Sequence, residues 1–162
     1  MNKNEQFRKE VLASVQSLSY EQLNKNVADD KWSVMQVLEH LYLMERFIVK
    51  VMADQLQNGE NCPVDEKPFH LAVDRSRKVP APPQVSPSHE KQSLEQITKK
   101  LKQSREALNQ VNERVSEEEL RQKSFPHPVL GLMDLKQWIE FIGYHEKRHL
   151  AQIEEIKNEI HA

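Results

Sequence analysis

Trp32-Ser33-Val34-Met35-Gln36-Val37-Leu38-Glu39-His40-Leu41-Tyr42-Leu43-Met44, running on to Phe47-Ile48-Val49-Lys50-Val51, is the stretch on which the fold turns. Val34, Val37, Leu38, Leu41, Met44, Phe47, Ile48 and Val51 recur at spacings of three and four, which gathers them into one apolar stripe of an α-helix. Ser33 and Gln36 stand three apart, the spacing of a capping box that satisfies the first free backbone N–H groups. The pattern predicts a helix that starts at Ser33 and fades near Asn58-Gly59.

Upstream, Phe7, Val11, Leu12, Val15 and Leu18 mark a first helix over about residues 3–18. Downstream, the period breaks from about Asn58 to Ser88, where six of the chain's eight prolines fall (Pro63, Pro68, Pro80, Pro82, Pro83 and Pro87). Each removes a backbone donor and disfavours helix before it, so this is read as a long irregular crossover. Leu94, Ile97, Leu101, Leu108 and Val111 place a third helix at about 89–114, and Leu120 to Leu130, with Pro126 and Pro128, is read as a second loop. Asp134 and Gln137 offer another cap, after which Leu135, Trp138, Ile139, Ile142, Leu150, Ile153, Ile156 and Ile160 carry a fourth helix to the C-terminus. The expectation is an all-α four-helix bundle, one domain over residues 1–162, with a proline-rich crossover between helices two and three.

Composition agrees, with only three glycines and few alternating Val/Ile/Thr segments. The 23 basic and 25 acidic residues are interspersed and leave a net charge of -2, so no one-signed field is available for nucleic acid or an anionic membrane. No apolar run approaches the ~20 residues that span a bilayer. The polar start of the chain and its single cysteine, Cys62, in no paired-thiol motif, are read as marks of a cytoplasmic protein.

The chemistry-bearing residues are histidines. His145 and His149 are four apart and therefore share one helical face, each bordering the apolar stripe near Ile142 and Ile153. His40 borders the stripe of the second helix between Val37 and Met44. Three inward imidazoles on two helices are able to meet in a bundle core, and neutral imidazoles suit zinc, nickel, copper or ferrous iron. The competing reading makes each a half-buried histidine bonded to a carbonyl or carboxylate. Glu39 and Glu146 adjoin two of these histidines, but a neighbour on a helix points about 100° away, so neither reads as a general base. Glu146 is expected in a surface pair with nearby Lys or Arg, and Gln152 either near the open side of the site or at the core edge. His127, between two prolines, is read as a surface turn residue on a loop able to reach a bundle-end site. His70, His89 and His161 are read as exposed.

Trp32-Ser33 with Val37-Leu38-Glu39-His40-Leu41, and Trp138-Ile139 with His145-Glu146-Lys147-Arg148-His149-Leu150-Ala151-Gln152-Ile153, resemble the helix-two and helix-four signatures of the DinB/YfiT-like superfamily. The resemblance extends to Pro126-His127-Pro128-Val129-Leu130-Gly131. It implies a four-helix bundle, often homodimeric, with one divalent metal ion (zinc, nickel or iron) on His40, His145 and His149. It implies as well the chemistry of members that include thiol S-transferases using low-molecular-weight thiols, isomerases and metal-dependent hydrolases, acting on small-molecule substrates. The alternative is a non-catalytic metal-binding or dimerisation bundle.

Overall fold

The computed structural model describes residues 2–76 and 78–161. Four long helices build it: α1 (Lys3–Val15), α3 (Val34–Asn58), α4 (Leu94–Arg114) and α6 (Leu135–Ile160). Two short ones, α2 (Tyr20–Leu23) and α5 (Glu117–Gln122), and an antiparallel hairpin of β1 (Ser124–His127) and β2 (Gly131–Asp134) complete the order.

Local chemistry sets most of these boundaries. Ser33 accepts from the Gln36 N–H at 3.1 Å while the Gln36 amide oxygen accepts from the Ser33 N–H at 2.9 Å, the reciprocal pair that the spacing predicts. Ser33→Ala is expected to lower stability by about 1 kcal/mol, and the melting temperature by about 2–4 °C in a calorimetric scan. The first helix stops at Val15 rather than at residue 18, because Ser19 begins a new capping box with Gln22 and turns the chain into α2. The third begins at Leu94 rather than near 89, because Ser93 caps it through Gln96 and Asn24 holds the backbone of Gln92 from both sides.

The segment read as a second loop is partly α5 and partly the hairpin. Its pairing runs Ser124↔Asp134, Phe125↔Met133, Pro126↔Leu132 and His127↔Gly131, with Gly131 at φ 76°, a backbone region that L side chains rarely adopt. Packing rather than strand propensity holds it in place. Phe125 stacks on Trp138 with ring centroids 4.2 Å apart, and the Trp138 indole donates to the Phe125 carbonyl at 3.1 Å. The crossover carries two single 3₁₀ turns, Phe69–Val73 and Pro83–Val85, and buries Phe69 and Val85 against the bundle.

The core falls into two apolar clusters. One joins Val11, Val15, Leu38, Leu41, Ile97, Leu101, Ile153 and Ile156; the other joins Ile48, Met52, Leu108, Leu120, Met133, Leu135, Trp138 and Ile142. Along α3, α4 and α6 the positions between them are polar: Glu45, then Ser104 and Arg105, then His145, Glu146 and His149. Arg8 of α1 enters the same layer, bonding Glu45 and Glu146, and Arg105 bonds the same two carboxylates from α4. Four helices are thereby tied through one buried set of charges.

Candidate metal centre

His40 is carried by α3, and His145 and His149 by successive turns of α6; all three are buried, at 3%, 7% and 7% exposure. Their positions beside the apolar stripes turn them inward, so burial of the stripe brings the imidazoles together. The Nε2 atom of His145 lies 3.2 Å from that of His40 and 3.1 Å from that of His149.

What holds the rings fixes where their protons are. His40 Nδ1 donates to the Val85 carbonyl at 2.7 Å, and His149 Nδ1 donates to the Gln152 amide oxygen at 2.7 Å. Each neutral ring has one N–H, so both present an Nε2 lone pair toward His145. His145 has at most one proton for Nε2 and is able to satisfy only one of those lone pairs. A cation among the three nitrogens satisfies all of them. Metal–nitrogen bonds of about 2.0–2.1 Å in tetrahedral geometry separate ligand nitrogens by about 3.3 Å, close to the spacing here. The donor set and its geometry therefore fit a divalent metal.

Electrostatics favour the same state. Burial lowers the pKa of His40, against the Val85 hydrogen bond that raises it. Burial holds His145 well below the ordinary histidine value, with the neighbouring His149 and His40 adding to the shift, and burial together with His40 does the same for His149. Imidazoles kept neutral are imidazoles ready to ligate.

The surroundings are aromatic. Trp32 packs on His40 with centroids 5.1 Å apart, and Phe141 lies 5.5 Å from His145 at an interplanar angle of 26°. Glu39, one residue from His40, points away and accepts from the Ser88 N–H at 2.8 Å and from Gln92 at 3.3 Å, pinning the end of the crossover and the approach to α4. Glu146 is not at the surface: it is 1% exposed and bonded to Arg8 and Arg105. The surface expectation failed because a residue one step from an inward histidine still faces a neighbour when helices pack on several sides, and here α1 and α4 both do. His70, His89 and His161 are exposed, and Cys62 is an exposed free thiol.

One group at the site escaped the sequence reading, the Val85 carbonyl, which carries no side-chain signal at all. Gln152, expected near the open side of the site or at the core edge, bonds the His149 ring instead, at the three-residue helical spacing at which side chains meet.

Fold and site together define a helical bundle with a buried three-histidine cluster. The sequence matches the DinB superfamily over residues 3–153. It is 35% identical over 153 residues to "Uncharacterized protein YuaE" of Bacillus subtilis, covering 94% of each chain. It is 26% identical over 140 residues to "Putative metal-dependent hydrolase OB0413" of Oceanobacillus iheyensis, covering 86% of this chain and 73% of that one. The crystal structure of TT2238, a four-helix bundle protein, aligns with a TM-score of 0.64 at 22% identity over 94% of each chain, a likeness of fold. The chain belongs to the DinB superfamily. Among the described residues no helix is long and apolar enough to cross a membrane.

Proposed function

We propose that the protein is a metal-dependent enzyme that holds one divalent cation through His40, His145 and His149 and performs hydrolase or thiol S-transferase chemistry on a small molecule. The observation that carries this reading is the convergence of three Nε2 atoms, two of them stripped of any proton by the bonds their Nδ1 atoms make. The name of the Oceanobacillus relative supports metal dependence. Zinc, nickel and ferrous iron all suit a set of imidazoles.

When bound, such a cation supplies Lewis acidity toward a water or a low-molecular-weight thiol, making either a nucleophile near neutral pH. The chain's own part is positional. Val85 and Gln152 aim two of the imidazoles, burial keeps all three neutral, and Trp32 and Phe141 close apolar walls beside them. Glu39 and Glu146 are occupied in holding the crossover and the helices together, so neither is free to act as a general base at the site.

The test is metal analysis of the purified protein, joined to two assays: hydrolysis of p-nitrophenyl esters and transfer of a small thiol to a model alkyl halide. The expected result is close to one equivalent of metal, with one of the two reactions lost on chelation and restored by metal. No metal after reconstitution with zinc, nickel or iron, or rates indifferent to chelation, would replace this reading with the non-catalytic bundle.

A further inference from the structure

His127 lies outside the cluster but packs on Phe141, the same ring that lies against His145. It ends β1, and its Nδ1 accepts the backbone N–H groups of Val129 at 3.0 Å and Leu130 at 3.1 Å. An Nδ1 that accepts two donors carries no proton, so the ring's single hydrogen sits on Nε2. Among the described residues no acceptor meets that Nε2–H. The imidazole is half-buried and held by Trp138 at 5.6 Å and Phe141 at 5.0 Å between centroids. Phe141 in turn lies against His145, so one phenyl ring separates His127 from the cluster. A charge on His127 is close enough to depress the pKa of His145.

Burial also lowers the pKa of His127, which keeps it neutral and keeps its donor fixed. An N–H of set direction with no protein partner, on a half-buried ring that still reaches solvent, is open to a ligand or a water. We propose that His127 donates a hydrogen bond from Nε2 to an oxygen of the substrate, a carboxylate or ester carbonyl, and so helps orient it beside the three-histidine site. This rests on the enzymatic reading above and names the residue that recognises the substrate's oxygen.

The test uses His127→Asn, whose side-chain oxygen still accepts from the turn N–H groups but which has no donor where Nε2–H was. Acetate is the probe, titrated into both metal-free and zinc-loaded protein. Long-range proton–nitrogen NMR of the metal-free wild type is expected to show His127 protonated on Nε2 and shifted by acetate. Calorimetry is expected to show acetate binding about tenfold weaker in His127→Asn than in the wild type, with an unchanged melting temperature. Equal affinity in the two proteins, or a proton found on Nδ1, would overturn the assignment. Because the metal-free arm reads His127 by itself, a failure to load zinc counts against the metal reading alone.

Discussion

Glu146→Ala is expected to lower the free energy of unfolding by about 3–5 kcal/mol, the cost of removing one partner from a buried ion-pair set. The Arg8 and Arg105 side chains are only 10% and 11% exposed, and those of Glu45 and Glu146 2% each. With both carboxylates present the layer holds two positive and two negative charges. Burial works against the charge on Arg105, and the carboxylates of Glu146 and Glu45 more than offset it. Removing Glu146 leaves two largely buried cations facing one anion, in a place from which most water is excluded. The other bonds of the layer, Arg8 to the Leu101 carbonyl at 3.0 Å and Arg105 to the Asn4 carbonyl at 3.1 Å, do not supply the missing charge. Urea unfolding should show a lower midpoint at an unchanged slope. A loss under about 1 kcal/mol would mean that the cluster is solvated and behaves like a surface pair.

The second large effect concerns the histidines. His149→Ala or His40→Ala is expected to weaken zinc affinity by well over a hundredfold, since outer partners alone are typically worth 10–100-fold. Gln152→Ala, which frees the His149 ring without removing it, should fall within that smaller range. His70→Ala should change nothing, because His70 is exposed and lies outside the cluster. Competition against a chromophoric chelator measures all four. The same titration has a thermal counterpart: a ligand at 100 times its dissociation constant stabilises the folded state by about 2.7 kcal/mol, so zinc should raise the melting temperature of the wild type and not of His149→Ala. Wild-type affinity in His40→Ala would show that α3 contributes no ligand and would sink the three-histidine site.

The long helices were legible from the chain because their signals are local and repeat many times. Val34 to Val51 states a period, and Ser33 with Gln36 states a start, without reference to anything distant. The same holds for Asp134, which caps α6 through the Gln137 N–H at 2.8 Å. The three inward histidines, His40 and the pair His145 and His149, were legible for a related reason: the helical period that finds the apolar stripe also finds which histidines border it.

What the chain did not reveal was set by contacts between residues far apart in sequence. The hairpin of Ser124–His127 and Gly131–Asp134 has no alternating apolar pattern, and it stands because Trp138 covers it. Glu146 looks like a surface residue until Arg8 and Arg105 arrive from 138 and 41 positions away. The proton on His40 is placed by the Val85 carbonyl, 45 residues on, a backbone atom that every residue possesses. Sequence by itself determined the four long helices, the caps at Ser33 and Asp134 and the inward set of histidines, because each follows from spacing along a single element. Only the tertiary structure decided which charges are buried, which ring nitrogens face one another and which tautomers they adopt. Those depend on desolvation and on distances between elements, and no local pattern encodes either.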